Sequence, residues 1–359
     1  MKIIQVMPTV SFGDAVSNDA RAISKVIAEM GYKTAIYAEN IDPRVKEPTV
    51  QKISKLPEIK DDDIVIFNHS TGTELCYRLP ELPGRKMMIY HNITPPYFFS
   101  GYNQGAVDLT RYGYEGTKFL ADKIEFVMGD SAYNVSDLKE MGYNCPSYVR
   151  PILIPFADYE KEPDKDVIAK YSNDGYVNIV FVGRVAPNKK HEDLIAAFAY
   201  YKKHINERSR LILVGSEGGM EKYKKCLMSY VEALGVEDVI FTGQTSFKAI
   251  LAYYKVADVF LCLSEHEGFC VPLVEAMCFE KPIIAYDSCA VGETLGGSGI
   301  LINDKNPVFV AMVIDRIVKD ESLRNQIIQK QNDRLKDFAY EKVRESFVKG
   351  LNAFVENKL

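Results

Sequence analysis

Short apolar runs alternate with longer amphipathic segments along this chain, once between residues 3 and 155 and again between residues 178 and 302. Short apolar runs are typical of buried strands, and apolar positions spaced three or four residues apart are typical of helices. Alternation of the two indicates parallel sheets with helices on both faces. We therefore predict an α/β protein built from two Rossmann-like, doubly wound domains.

The same pattern predicts the individual elements. The predicted strands are Ile3–Met7, Thr34–Tyr37, Ile64–Asn68, Lys86–Tyr90, Phe126–Gly129, Ser147–Pro155, Asn178–Val182, Leu211–Val214, Val239–Phe241, Val259–Leu263, Pro282–Ala285 and Gly299–Ile302. The predicted helices are Asn18–Met30, His191–Lys203, Gly219–Leu234, Phe247–Lys255 and Val271–Phe279. Residues 95–122 are aromatic-rich and less regular, and we expect one helix there.

The composition changes between the two halves. Residues 157–175 are mostly polar, as is typical of a linker, and we place the domain boundary there. The first domain is then 1–157 and the second is 176–336. Two or three helices are predicted to close the chain after the last strand, and the last residues, 337–359, are predicted to contain the C-terminal one.

Charge and cysteine content narrow the classes of function. The chain has 359 residues and a formal net charge of −5, and neither half is basic, so we expect no nucleic-acid partner. No apolar run reaches the length of a membrane span, and the first residues predict a buried strand rather than a signal peptide. The 7 cysteines contain no Cys-x-x-Cys pair, so we expect a cytoplasmic protein with reduced thiols. We interpret the spacing of eight between Cys262, Cys270 and Cys278 as coincidence.

Two acidic residues stand eight positions apart in segment 264–277. Glu267 precedes a glycine in a predicted loop, and Glu275 lies about two turns into a predicted helix that begins near Val271. A helix start offers free backbone N–H groups and the positive end of a dipole, which suits a phosphate. Two carboxylates beside such a site suit a ligand with hydroxyls on both sides of its phosphates, and a nucleotide-sugar has that shape.

Two cations occupy the loop that follows the strand Asn178–Val182. Arg184 and Lys189 are five positions apart across a proline turn, so both side chains can face one anion. A guanidinium fork and a mobile ammonium are a suitable pair for a diphosphate. The alternative is two solvated loop cations.

The loop between the first strand and the first helix contains Gly13 as its only glycine. In doubly wound domains this loop brings backbone close to phosphate. The fingerprint Gly-x-Gly-x-x-Gly is absent, which argues against a dehydrogenase. The alternative is an ordinary turn capped by Ser17 or Asn18.

Two further motifs lie beside strands of the first half. His91 follows the strand Lys86–Tyr90, where its imidazole can hydrogen-bond a sugar hydroxyl or an acceptor, or be satisfied by local backbone. The run 61–63, which is Asp-Asp-Asp, resembles the Asp-x-Asp of metal-dependent sugar transferases. It precedes a strand, so we interpret it as a solvated loop. The remaining His and carboxylate residues lack metal-ligand spacing, and no metal site is predicted.

The elements Glu267-x7-Glu275 and Arg184-x4-Lys189 together resemble those of the retaining glycosyltransferases of family four. The resemblance is specific over residues 176–305. It is looser in the first half, where Gly13 and His91 carry it. It implies the GT-B fold, in which two Rossmann-like domains face each other across a cleft. It also implies that the C-terminal helix crosses back to the first domain; the alternative is a helix packed only on the second.

The resemblance implies roles for the second-half motifs. Glu275 would bind the ribose hydroxyls, and Glu267 would hold hydroxyls of the donor sugar. Arg184 and Lys189 would neutralise the diphosphate as it leaves. The base would contact the loops after Gly215 and around 242–245.

Backbone and first-half residues complete the implied donor site. The N–H groups of Phe269, Cys270 and Val271 would meet the sugar or its phosphate. Gly13 would let the first loop close over the diphosphate, and His91 would line the sugar pocket. Fixed cations and a helix dipole would replace a metal ion, so we expect no cofactor.

Three positions depart from the family pattern. Two adjacent glycines are common in the first loop, but Gly13 is followed here by Asp14, which we expect to face the acceptor. Lys190 and Cys270 stand where the family usually has glycine, and Cys270 would narrow the sugar pocket.

The acceptor side rests on weaker signals. Asp14, Asn18 and Asn92 are its candidate residues, because they lie in the first-half loops that would choose the acceptor. The aromatic stretch 97–102 is expected either to contact a glycan or lipid-linked acceptor or to pack locally.

We therefore expect a retaining glycosyltransferase that moves a hexose-type sugar from a UDP- or GDP-type donor to an acceptor hydroxyl. The expected setting is cell-surface polysaccharide or glycolipid synthesis, with peripheral membrane contact through a lipid-linked acceptor. The alternatives are a non-catalytic GT-B partner subunit, and an inverting transferase or sugar-nucleotide epimerase of the same fold. The sequence does not identify the sugar, the base, the acceptor or the oligomeric state.

Overall fold

The structure is a computed structural model that describes residues 1–357. The chain divides into two compact units. The first unit consists of residues 1–97, residues 105–155 and the C-terminal residues from 338 onward. The second unit consists of residues 98–104 and 156–337.

The first unit is a parallel sheet of 7 strands in the order β3-β2-β1-β4-β5-β6-β7. Its strands are β1 (Ile3–Val10), β2 (Ile36–Ile41), β3 (Val50–Lys52), β4 (Ile64–His69), β5 (Arg85–Tyr90), β6 (Phe126–Gly129) and β7 (Ser147–Val149). Its helices are α1 (Ala15–Glu29), α2 (Leu75–Arg78), α3 (Gln104–Phe119), α4 (Ala132–Glu140) and, at the end of the chain, α13 (Tyr340–Val355). The central strands β1, β4, β5 and β6 are largely buried on both faces, as their continuous apolar runs predict, whereas the edge strands β3 and β7 are only partly buried.

The C-terminal helix completes the core of this unit. Val343, Phe347, Leu351 and Phe354 of α13 are buried in one cluster with residues of β1, α1 and β6. These positions recur at intervals of three or four, so they form one apolar stripe on the helix. The ring of Phe354 stacks on Phe126 with centroids 5.6 Å apart. The predicted return of the last helix to the first domain is confirmed.

The second unit is a parallel sheet of 6 strands in the order β10-β9-β8-β11-β12-β13. Its strands are β8 (Val177–Val182), β9 (Ser209–Val214), β10 (Val239–Phe241), β11 (Val259–Cys262), β12 (Ile283–Tyr286) and β13 (Ile300–Ile302). Its helices are α5 (Lys165–Tyr171), α6 (His191–His204), α7 (Glu221–Leu234), α8 (Phe247–Val256), α9 (Val271–Cys278), α10 (Val291–Leu295), α11 (Pro307–Lys319) and α12 (Glu321–Leu335).

Both sheets are doubly wound. In each, the first strand of the unit lies between its second and fourth strands, β1 between β2 and β4, and β8 between β9 and β11. The order therefore reverses beside β1 and beside β8. Ligands of open α/β sheets bind outside the carboxyl ends of the strands at such a switch point. In the second unit, this places the loops after β8 and β11 at the expected position of a ligand.

Some local predictions are wrong. The strand predicted over 147–155 ends at Val149, because Pro151 and Pro155 cannot donate to a sheet and Arg150 turns into a buried polar cluster. The short strand β3 and the helices α2, α4, α5 and α10 were not predicted. Asp63 is not in a solvated loop: its buried carboxylate accepts from the backbone N–H groups of Lys2 and Lys60.

Among residues 1–357, no helix is both long and apolar enough to cross a membrane.

Candidate functional site

The loops after β8 and β11 are joined to each other by hydrogen bonds. The backbone N–H of Glu265 donates to the carbonyl of Asn188 at 2.8 Å. The Asn188 side-chain amide donates in return to the carbonyl of His266 at 3.1 Å. Asn188 is buried, so these bonds are shielded from water. The two loops at the switch point therefore form one supported surface.

An ion pair links the two predicted motifs. Lys189 Nζ donates to Glu267 Oε2 at 2.6 Å, and the side chains are 21% and 9% exposed. Burial lowers the pKa of Lys189, but the Glu267 charge and hydrogen bond outweigh it, so the pKa is raised overall. The ion pair thus favours the charged form of Lys189. The Arg184 side chain is exposed near the start of the same loop.

Helix α9 begins at Val271, as predicted. Its N-cap, Cys270, makes no capping bond with its side chain, and Pro272 stands in the first turn. The first N–H groups of a helix lack partners within the helix and lie at the positive end of its dipole. Phe269 is buried, and its carbonyl accepts from the Thr294 hydroxyl. The segment 269–271 thus presents a fixed helix start beside the ion pair.

Glu275 is held by two tyrosines. Tyr159 Oη donates to Glu275 Oε1 at 2.9 Å, and Tyr254 Oη donates to Oε2 at 2.6 Å. Burial raises the pKa of Glu275, and the two phenol bonds oppose that rise. Tyr159 packs near the rings of Phe247 and Phe279, with centroids 6.1 and 6.3 Å away.

Sequence reasoning missed both tyrosines. Tyr159 lies within the polar segment that predicted a domain boundary, and an aromatic residue in a polar run was its only signal. Tyr254 is on α8, where its helical spacing indicates a core position. Neither position is connected to Glu275 by any local pattern.

Two residues of the site adopt left-handed backbone conformations. Lys190 has φ 51° and Cys270 has φ 70°. These are two of the positions at which the sequence departs from the pattern of the family that it resembles, and glycine is the residue that reaches this region without steric cost. A side chain there costs roughly 1–2 kcal/mol. Both departures therefore place backbone strain at the ends of the two site loops.

Ion pairs between charged side chains also hold the loops after β8 and β11 in place. Lys190 pairs with Glu192 at 2.7 Å, and Lys305 pairs with Asp193 at 2.6 Å and with Glu265. These contacts connect the loop after β11 to the start of α6. They restrain Glu265, two positions before Glu267.

The loops expected to meet the base lie close together. A Cβ on Gly215 would stand 2.0 Å from the carbonyl oxygen of Gly183, so no other residue fits. The N–H of Gly215 donates to Thr242 Oγ1 at 3.3 Å. The ends of β8, β9 and β10 are therefore packed backbone to backbone on this side of the sheet.

The aromatic stretch of the first half packs within the second unit. The Phe98 ring lies 6.1 Å from His266, and Tyr102 meets the edge of Tyr223 at 5.0 Å. Burial lowers the pKa of His266 to about 4. The rings of Phe98 and Tyr102 thus pack against residues distant in sequence within the second unit, while Tyr97 is 69% exposed.

In the first unit, the loop after β1 holds its predicted glycine in open space. Gly13 has φ 76°, and a Cβ added there would meet no atom within 4 Å. The cap of α1 is neither Ser17 nor Asn18: Asp14 accepts from the backbone N–H and the hydroxyl of Ser17, both at 2.9 Å. The cap named in that alternative is wrong because α1 begins at Ala15, three residues before the predicted start. Asn18 therefore lies within the helix.

His91 lies in the interior of the first unit. Its side chain is 1% exposed, and Nδ1 bonds to Asp130 Oδ2 at 2.8 Å. Nε2 lies 3.5 Å from Asn68 Oδ1. Burial lowers the pKa of His91, but the charge and hydrogen bond of Asp130 outweigh it and raise the pKa overall. Its partner is a carboxylate rather than local backbone.

The cluster around His91 continues through a buried salt bridge. Arg150 donates to both oxygens of Asp19, at 2.8 and 2.6 Å, and its Nη2 lies 3.6 Å from Asp130 Oδ1. Sequence reasoning missed Asp130 and Arg150. Their common signal is position, because each directly follows a strand of the sheet.

Asn92 is buried and links the end of β5 to helix α4. It has φ 69°, and its side-chain amide donates to Asn134 Oδ1 at 3.0 Å. The bond ties the end of β5 to α4. The structure thus places this acceptor-side candidate inside the unit, 7% exposed.

Residues 163–334 match the family described as glycosyl transferases group 1. An uncharacterized glycosyltransferase of Methanocaldococcus jannaschii is 29% identical over 164 residues, which cover 45% of this chain and 40% of that protein. An N-acetyl-D-galactosaminyltransferase of Campylobacter jejuni is 25% identical over 182 residues, covering 50% and 48% of the two chains. A GDP-mannose-dependent alpha-mannosyltransferase of Mycolicibacterium smegmatis is 32% identical over 125 residues, covering 35% and 29%. The matched part is thus less than half the length of these curated relatives.

Solved structures resemble the chain over nearly its whole length. Sucrose-phosphate synthase from Thermosynechococcus elongatus has a TM-score of 0.77 at 16% identity and covers 99% of this chain and 100% of its own. Anabaena HepE in complex with UDP-glucose has a TM-score of 0.74 at 16% identity and covers 98% and 100%. At these identities the likeness shows the fold alone. The chain therefore has the GT-B fold, and its residues 163–334 match the family of group 1 glycosyl transferases.

Proposed function

We propose that this protein is a retaining glycosyltransferase that moves a hexose-type sugar from a nucleotide diphosphate donor to an acceptor hydroxyl. One observation carries the proposal. The Lys189–Glu267 ion pair stands at the start of α9, and Glu275, eight residues further on, is held by two phenols. The arrangement offers a cation, a helix dipole and two carboxylates to one elongated ligand.

Lys189 can serve Glu267 and a phosphate together. An ammonium has three N–H donors, and the bond to Glu267 uses one of them. A diphosphate adds negative charge beside this cation, beside the exposed Arg184 and at the positive end of α9. These groups neutralise the leaving group without requiring a metal ion.

The two carboxylates bind opposite ends of the donor in this proposal. Each carboxylate oxygen accepts more than one hydrogen bond, so Glu275 can keep both tyrosines and still accept from ribose hydroxyls. Glu267 holds hydroxyls of the donor sugar. The acceptor attacks from the face that the diphosphate leaves, and the departing phosphate takes the acceptor proton. Glu267 then positions the sugar rather than attacking it.

The relatives support a UDP- or GDP-type donor and a role in cell-surface polysaccharide or glycolipid synthesis. The C. jejuni protein is named for transfer to an undecaprenol-linked glycan, and the M. smegmatis protein for its dependence on GDP-mannose. The Anabaena structure contains UDP-glucose. We extend these classes of donor, and a glycan or lipid-linked acceptor reached from the cytoplasm, to this chain as a proposal.

A thermal-shift screen against UDP- and GDP-sugars tests the proposal first. A ligand that binds only the folded state raises the melting temperature. We expect one nucleotide-sugar to raise it and Glu275→Ala to abolish that shift. NMR of the product formed from that donor should then give the same anomeric configuration as the donor.

Other outcomes would redirect the proposal. An inverted product would identify an inverting transferase, and epimerised donor would identify an epimerase. Binding without donor hydrolysis or transfer, across glycan and lipid-linked acceptors, would favour a non-catalytic partner subunit.

A further inference from the structure

Two thiols and a carboxylate meet at the end of β11. Cys262 is the last residue of the strand, Cys270 is the N-cap of α9, and Glu267 lies in the loop between them. Their sulfur and oxygen atoms all lie within 4.8 Å of one another, and all three residues are buried. The spacing of eight between the cysteines has a structural basis after all, because the loop returns residue 270 to the strand end.

We propose that Cys262, Cys270 and Glu267 form a binding site for a thiophilic divalent cation of the Zn²⁺ type. Zinc takes four ligands in a tetrahedron, with Zn–S bonds of about 2.3 Å and Zn–O bonds of about 2.0–2.2 Å. The ligand atoms of such a site stand about 3.5–3.8 Å apart, by the geometry of a tetrahedron with those bonds. Shifts of up to about 1 Å therefore close the cluster around an ion. A water molecule would complete the four ligands.

The soft donors set the choice of ion. Thiolates select zinc and related thiophilic ions, whereas Mg²⁺ and Ca²⁺ prefer sites built from oxygen alone. Two sulfurs and one oxygen therefore favour Zn²⁺ over the cations that often accompany nucleotides. Cys278 lies a full helix length from Cys270, at the other end of α9, and is outside the cluster.

The charges balance when the ion binds. Each thiol loses its proton to solvent, so Zn²⁺ with two thiolates and the Glu267 carboxylate carries one negative charge. The Lys189 ammonium, 2.6 Å from Glu267 Oε2, brings the total to zero. A carboxylate has two oxygens, so Lys189 can keep one while the other binds the ion. A buried site without net charge avoids the large desolvation cost of an unpaired ion.

The consequence for activity rests on the proposed function. Lys189 bonds to one oxygen of Glu267 and the ion takes the other, so a bound ion withdraws that second oxygen from the hydroxyls of the donor sugar. Bound Zn²⁺ therefore competes with the nucleotide-sugar and acts as an inhibitor rather than a cofactor. Zn²⁺ should therefore weaken the binding of the nucleotide-sugar, and the nucleotide-sugar should weaken the binding of Zn²⁺.

Cobalt(II) tests the site without any donor. The full-length protein, reduced with a phosphine, is titrated with Co²⁺, and thiolate ligation is read from sulfur-to-cobalt charge-transfer absorption. We expect one Co²⁺ per chain with this band, and displacement by Zn²⁺. Cys262→Ser and Cys262→Ala should each lose the band and weaken Zn²⁺ binding at least tenfold. Cys226→Ser, which alters an exposed cysteine on α7, should retain both.

Circular dichroism of the Cys262 variants separates lost ligation from lost folding. Co²⁺ bound without the charge-transfer band, or an unchanged band in folded Cys262→Ser, would overturn the metal site. Zn²⁺ that binds equally well with and without saturating nucleotide-sugar would overturn the competition. If the protein binds Co²⁺ and Zn²⁺ as expected but shows no transferase activity, the metal site is supported and the proposed function is rejected.

Discussion

At the scale of single residues, the site combines groups whose charges depend on one another. The Glu267 carboxylate favours the charged form of Lys189, and removing one member of a buried pair leaves the other charge uncompensated. Arg184 differs because it is exposed and can turn toward a ligand. The neighbouring cysteines, Cys262 and Cys270, give the same carboxylate a second set of partners.

Arg184→Ala should lower kcat by about 10²–10³-fold at saturating donor, because a lost cation no longer stabilises charge on the leaving diphosphate. Arg184→Lys should recover part of the rate. Steady-state kinetics with the donor found by thermal shift provide the measurement. Arg316→Ala, on the 70% exposed side chain of α11, is the matched control and should leave kcat unchanged. An unaltered kcat in Arg184→Ala would remove this residue from the mechanism.

Tyr159→Phe should raise the donor KM about tenfold with little change in kcat. The phenol holds Glu275 Oε1, and a hydrogen bond to a charged group is worth about 1.5–3 kcal/mol. Donor titrations of the wild type, Tyr159→Phe and Tyr230→Phe make the comparison, since Tyr230 is partly exposed on α7. A lower KM in Tyr159→Phe would mean that Tyr159 competes with the ribose instead of positioning Glu275.

At the scale of elements, strand ends decide where polar side chains gather. In the first unit, His91, Asp130 and Arg150 follow β5, β6 and β7, and their side chains meet Asp19 from α1. In the second unit, the loops after β8 and β11 meet in the same way. Neighbouring parallel strands end at one edge, so residues far apart in sequence become neighbours.

The His91 cluster should make stability depend on pH. The folded pKa of His91 is raised above its ordinary value of 6.5, so protonation favours the folded state. This stabilisation is fully present below about pH 6.5 and is lost as the pH rises through the raised pKa. His91→Gln should therefore lower the free energy of unfolding more at pH 6 than at pH 9. Denaturant titrations of both proteins across this range give the difference, and equal losses at both values would contradict the charged His91–Asp130 pair.

Lys190→Gly should be more stable than Lys190→Ala by about 1 kcal/mol. Both variants lose the ion pair with Glu192, so their difference reports the cost of the left-handed backbone at φ 51°. Ala196→Gly, in the middle of α6, should show the opposite sign and cost about 1 kcal/mol. Urea unfolding of the three variants provides the comparison. If Lys190→Ala proved as stable as Lys190→Gly, this loop would carry no backbone strain.

At the scale of the whole molecule, the two units share the doubly wound strand order but draw their cores from different parts of the chain. The first unit is completed by α13, more than 180 residues after β7 along the chain. The second unit takes in residues 98–104 from the first half. Neither unit is therefore a continuous stretch of sequence.

Phe347→Ala should lower the stability of the first unit by about 3–5 kcal/mol, because it leaves a cavity in the core beneath α13. The fully buried ring packs with residues of β1, α1 and β6, so repacking is limited. Chemical denaturation followed by circular dichroism measures the loss. Lys349→Ala, on an exposed turn of the same helix, is the control, and an effect of equal size there would show that α13 responds to any substitution.

Much of the fold could be predicted from sequence, because apolar periodicity reports burial within single elements. The alternation of runs predicted the α/β class and most strands, and the start of α9 was predicted at Val271. Short elements such as β3 were not predicted, because three residues are too few to show a periodic pattern. The site residues named from motifs stay predictions, but their placement in the loops after β8 and β11 agrees with the switch-point rule.

The sequence by itself determined most of the longer elements and the motifs that lie within one loop or one helix start, such as Glu267 and Glu275. The tertiary structure alone decided the contacts between distant residues: Tyr159 with Glu275 across 116 positions, and Asp19 with Arg150 across 131. It also brought Cys262 beside Cys270, whose spacing we interpreted as coincidence. The physical reason is that periodicity is set by neighbours along the chain, whereas these pairs form only when a whole unit folds and packs segments that are far apart in sequence against each other.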